Sequence, residues 1–139
     1  MDDVIDPAPG AGAQAGRRAQ LAEQQAARES ARAQRLVDEF VTRARAAALP
    51  VVDLRARTWD GHVVKTNARG WYLRNDHTVA IGEDGGYYQL TVPGGWAARL
   101  RGVRVTPVPP PLVVGRGGRD GESGDLKDFL ARALAGQVA

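Results

Sequence analysis

Hydrophobic positions along this chain fall into distinct regimes, and each regime predicts a different kind of element. Between residues 17 and 48, Ala, Arg, Gln, Glu and Leu dominate and neither Gly nor Pro occurs, a composition of strong helix formers. Pro50 disfavours helical backbone at the residue before it and marks the stop. The two halves of this helix differ. Up to Ser30 the one large apolar residue is Leu21, so the first half has little to bury. From Leu36 onward, Leu36, Val37, Phe40, Val41, Ala44 and Ala48 recur at helical spacing and form a stripe. The second half is expected to dock on a domain, and the first to project, fray or meet a partner.

Past Pro50 the period shortens to two. Val52, Leu54 and Ala56 alternate with Asp53, Arg55 and Arg57, the pattern of a half-buried strand. Asp60-Gly61, Asn75-Asp76 and Glu83-Asp84-Gly85-Gly86 are turn signals that separate further strands. Trp96 to Leu100 reads as a helical turn, the prolines from Pro107 to Pro111 as an extended connector, and Leu112-Val113-Val114 as a last short strand. A glycine-rich loop over 115–124 follows. Ser123 or Asp125 can then cap a helix carrying Leu126, Phe129, Leu130 and Leu134 on one face, with Gly136 as its stop. The expected fold class is α+β: a long N-terminal helix, an antiparallel β-meander of about five strands and a short C-terminal helix. The expected organisation is a disordered tail over 1–16, the Ala/Arg-rich helix over 17–48, a small α+β domain over 49–135, and a C-terminal tail over 136–139.

Composition narrows the chemistry. With no cysteine, the chain has no disulfide, no thiolate nucleophile and no cysteine-ligated metal. The opening Met1-Asp2-Asp3 lacks the basic start and apolar run of a secretory signal. The purest apolar stretch, Ala46 to Val52, is broken by Pro50 and is too short to span a bilayer. These features predict a cytoplasmic protein with no membrane association. The net charge of +3 is spread along the chain, and all but two of the bases are Arg. Together with the abundance of Ala, Gly and Val, this reads as coding in a GC-rich genome, so arginine content alone does not argue for phosphate binding.

Two stretches invite functional readings. The loop Gly115-Arg116-Gly117-Gly118-Arg119-Asp120 opens a helix, where free N–H groups favour an anion, and Arg116, Arg119 and Asp120 are its candidate site residues. It lacks the Gly-Lys-Ser/Thr ending of a phosphate loop, and Asp120 stands where a dinucleotide loop needs glycine. A connector or partner-binding loop fits better. Gly121-Glu122-Ser123-Gly124-Asp125 falls one residue short of a nucleophile elbow, and His62 and His77 both sit beside turns rather than near Ser123 in sequence. No catalytic constellation, metal site or cofactor is expected.

The second stretch, Arg69-Gly70-Trp71-Tyr72, begins like an RNA-recognition submotif and departs from it at Tyr72. Strand alternation sets Trp71 and Leu73 against Tyr72 and Arg74, and sets Tyr88, Leu90 and Val92 against Tyr87, Gln89 and Thr91. If the first group of each strand is core, Tyr72, Arg74, Tyr87 and Gln89 share the opposite face. That face is either an aromatic-basic platform for bases or peptides, or a surface covered by a helix through Phe40 or Phe129.

The run from Pro110 to Leu126, with Gly70-Trp71-Tyr72-Leu73-Arg74 upstream, resembles small uncharacterised proteins of GC-rich actinobacteria. The resemblance implies a source and no activity. The functional expectation is therefore a non-catalytic interaction or adaptor module that binds a protein partner or a second copy. The alternative is nucleic-acid binding through the Tyr72 face and the basic helix.

Overall fold

The computed structural model describes residues 9–115 and 123–139. The fold is α+β: a long N-terminal helix, a five-stranded mixed sheet and a short C-terminal helix. Helix α1 runs unbroken from Pro9 to Ala46, about 57 Å at 1.5 Å per residue. It begins well before residue 17: residues 9–16 of the expected tail continue the helix, and residues 1–8 lie outside the described residues. Proline at the first helical position has no N–H to lose.

The helix ends ahead of Pro50. Ala48 takes the left-handed conformation (φ 54°), and the N–H of Leu49 returns to the carbonyl of Ala44 at 2.9 Å. This is the usual place for glycine, since a Cβ is strained there. Ala33, Val37, Phe40 and Ala44, spaced four, three and four apart, are the buried residues of α1. Every residue from 10 to 29 is exposed, as the scarcity of apolar residues before Ser30 implies.

Strands β1 (Val52–Thr58), β2 (Val63–Tyr72), β3 (Val79–Gly82) and β4 (Tyr87–Gln89) form the expected antiparallel meander. The next strand departs from it. β5 (Thr91–Val92) continues β4 after Leu90 and pairs in parallel with β1. The strand order is β4-β3-β2-β1-β5, so the two ends of the sheet are consecutive pieces of one segment. Leu90 joins them by donating its N–H to Thr78 and accepting from the N–H of Arg57. The sheet therefore curls round to meet itself. It is mixed rather than purely antiparallel, and an edge that would otherwise be open is closed.

Helix α2 (Trp96–Arg101) follows, and the proline-rich connector then runs along the sheet, bridging Thr66 through Val103 and Tyr87 through Val108. β6 (Val113–Val114) pairs with β7 (Gly124–Asp125) in a separate two-stranded sheet. Helix α3 (Leu126–Leu134) starts directly after β7. Asp125 occupies its N-cap position without a side-chain capping bond, contrary to the expected cap.

Curling gives the sheet two buried faces. On the outside, Trp71, Leu73, Val79, Ile81 and Tyr87 pack beneath the buried stripe of α1 and Leu126, Phe129, Leu130 and Ala133 of α3. On the inside, Leu54, Ala56, Val64, Ala80, Tyr88 and Leu90 pack on one another. Phe40 meets Trp71 edge to face, with centroids 5.5 Å apart, and the indole N–H of Trp71 donates to the carbonyl of Leu49 at 3.1 Å. The curl also needs close backbone approach where β2 meets β3. Gly70 pairs with Gly82, and a Cβ on Gly70 would lie 2.0 Å from the carbonyl oxygen of Ile81.

Three stability outcomes follow, each measurable by urea unfolding. Gly70→Ala should cost about 3 kcal/mol or more, because backbone and not a flexible side chain must move. Phe40→Ala should cost about 3–5 kcal/mol through the cavity it leaves. Ala48→Gly should stabilise the fold by about 0.5–1 kcal/mol by relieving the left-handed strain.

Candidate functional site

Tyr72, Arg74, Tyr87 and Gln89 do not form one face. Register decides the matter: Trp71 aligns with Ile81 and Ile81 with Tyr87, while Tyr72 aligns with Ala80 and Ala80 with Tyr88. Side chains directly opposite across a sheet share a face. Tyr87 thus joins Trp71 beneath the helices, and Tyr72 joins Tyr88 on the inside. Trp71, Leu73, Tyr88 and Leu90 are all buried, as expected of core residues, but they belong to opposite faces of the sheet.

Tyr87 and Arg74 are buried near one another, and Gln89 and Tyr72 lie elsewhere. Tyr87 is buried among the helices, and burial pushes its phenol above the ordinary tyrosine range while the Arg74 charge pulls the other way. Arg74 is also buried; it donates to the Thr78 hydroxyl at 3.3 Å, and its guanidinium lies 5.8 Å from the Phe129 ring centroid. Gln89 is exposed at the end of β4. Tyr72 is half-buried, and its hydroxyl accepts the N–H of Arg55 at 2.8 Å. Arg116, Arg119 and Asp120 lie outside the described residues.

The pattern of aromatic residues concealed a different site. The Tyr72 ring stacks on His77, with centroids 3.9 Å apart and planes 7° from parallel. His77 sits in a tight turn with positive φ (61°), and its Nε2 is 2.7 Å from the carbonyl oxygen of Ala139. The N–H of Ala139 donates to Asn75 Oδ1 at 3.0 Å. The C-terminal tail is therefore anchored across the sheet and forms one wall of a cavity of about 530 Å³. Leu49, Val52, Val63 and Trp71 supply apolar lining, while Asp53, Arg55 and Arg57 of β1 supply charge. Nothing in the local pattern marks residues 136–139 as part of a site. Their role follows from the hydrogen bonds that tie Ala139 to Asn75 and His77 in the turn after β2.

The histidines are separated in role as well as in sequence. In the turn between β1 and β2, His62 stands 3.4 Å from Asp60 and 3.3 Å from Arg99. The Thr58 hydroxyl donates to Asp60 and, more than any other contact, holds that carboxyl below the usual range. Among the described residues, no cluster of three or more His, Asp or Glu side chains is placed to hold a metal ion, and no helix is long and apolar enough to cross a membrane. Comparison of the chain with protein-family models, curated proteins and solved structures finds no match.

Inside the curled sheet, Tyr88 donates its hydroxyl to Asp84 Oδ2 at 2.7 Å. Burial, then the hydrogen bond to Asp84 and its negative charge, push this phenol from the ordinary 10 up to about 12. A folded-state value raised above the unfolded one means that the folded protein holds the proton more tightly. The associated stability is complete below pH 10 and is lost as pH rises toward about 12. Unfolding experiments across this window should show stability falling. Tyr88→Phe should flatten the fall, and an unchanged pH dependence in that variant would assign it to other groups.

Proposed function

We propose that this chain is a non-catalytic interaction module that associates through the projecting half of α1, with a second copy of itself as the partner. The observation that carries the reading is the complete exposure of residues 10–29 in a helix that continues unbroken into the core. An exposed helix of this length is marginal in water and gains stability when a second element covers it.

The pattern along the projecting half supports a helical partner. Ala15, Ala19, Ala22 and Ala26 extend the four-three-four spacing of Ala33, Val37, Phe40 and Ala44 toward the N-terminus. They leave a narrow face on which another helix can approach closely. An antiparallel copy can set Ala15 against Ala26 and Ala19 against Ala22.

Nucleic-acid binding loses its aromatic platform once Tyr87 and Arg74 are buried.

Sedimentation velocity over a range of concentrations tests the proposal. The full chain should shift toward a dimer as concentration rises. Ala19→Glu combined with Ala22→Glu should abolish the shift while leaving the thermal midpoint unchanged, because both positions are exposed. A chain that stays monomeric at every concentration, or that associates only with added single-stranded nucleic acid and releases it at high salt, would contradict the reading.

A further inference from the structure

The cavity between β1 and the C-terminal tail carries a charge pattern that helix pairing does not use. We infer that it binds a small amphipathic anion, an apolar body bearing one carboxylate or sulfonate head. Its volume of about 530 Å³ lies within the range of roughly 300–1,000 Å³ typical of small-molecule sites. Trp71 and Ala56 are among its lining residues, and Val52 and Val63 present apolar surface that is 41% and 56% exposed. The stacked rings of Tyr72 and His77 add a flat wall. Such a lining favours an apolar guest and leaves a bare inorganic ion poorly held.

Charge selects the head group. Asp53 is already engaged, with its carboxylate 3.0 Å from Nε of Arg69. Arg55 and Arg57 also line the cavity, and neither forms an ion pair among the described residues. Arg55 moreover stands directly opposite Lys65 on β2. Like charges directly opposite on a sheet repel, so this arrangement is unfavourable by itself and improves when an anion sits beside it. Two guanidiniums above an apolar cavity complement a molecule with one charged end and one greasy end. A nucleic-acid strand would instead need a basic track along the whole surface.

The test uses the full-length protein and two fluorescent probes. One is 8-anilinonaphthalene-1-sulfonate, and the other is N-phenyl-1-naphthylamine, its uncharged counterpart. The sulfonate should bind one per chain and more tightly than the neutral dye, and it should shift the NMR resonance of the Trp71 indole N–H. Arg55→Gln combined with Arg57→Gln changes only exposed side chains and should leave the thermal midpoint in place. It should weaken sulfonate binding at least tenfold and leave the neutral dye's affinity unchanged. The proposal fails if the sulfonate does not bind, if both dyes bind equally, if the double variant binds it as tightly as the parent, or if the Trp71 resonance does not move.

Discussion

The edge-to-face contact between Phe40 and Trp71 fixes the relation between the two parts of this molecule. Phe40 belongs to the last third of α1 and Trp71 to the end of β2, and each is almost wholly buried. Trp71 also binds the carbonyl of Leu49 just beyond the helix, so one indole holds both the helix face and its exit. With this end clamped, the direction of the remaining helix is set by the domain. The exposed half can project as a rod because its other end is rooted in a core. Aromatic pairs of this geometry are worth about 0.5–1.5 kcal/mol beyond their burial. Here the larger consequence is positional, since Trp71 also lines the cavity.

The sheet resolves a conflict between its size and its sequence. A short antiparallel meander normally keeps one face wet. This one has apolar residues at consecutive positions, as in Val79-Ala80-Ile81 and Tyr87-Tyr88, and buries both faces. Helices cover the outside, and curling covers the inside. Leu90 makes the closure possible by turning one segment from partner of β3 to partner of β1. Gly70 permits the tight approach between β2 and β3 that the curvature requires.

Much of the architecture was legible because it rests on local pattern. The stripe from Leu36 to Ala44, the change in helix character near Ser30, the turns at Asp60, Asn75 and Glu83, and the apolar face of α3 all lie in the sequence as spacing. Register between strands does not. Trp71 and Tyr88 each read as core, and alternation within each strand is correct. Which residue of β4 lies over which residue of β2 depends on the length of the intervening turns. A slip of one residue exchanges faces, so alternation alone groups Tyr72 with Tyr87 where the fold sets them apart. The parallel pairing of β5 escaped for a similar reason: it is a contact between segments more than thirty residues apart with no signature of its own. The cavity was equally hidden, because its walls come from β1, the turn at His77 and the last residues of the chain.

The two halves of α1 differ in burial: Ala33, Val37, Phe40 and Ala44 sit in the core, and residues 10–29 are exposed, the half proposed to associate. Amide hydrogen exchange measured at low and at high protein concentration separates them most directly. Amides of residues 33–46 should be protected at both concentrations, because they belong to the core. Amides of residues 10–29 should exchange fast when the protein is dilute and gain protection when it is concentrated, as a second copy covers them. Equal exchange of residues 10–29 at the two concentrations, whether fast or slow, would contradict the account.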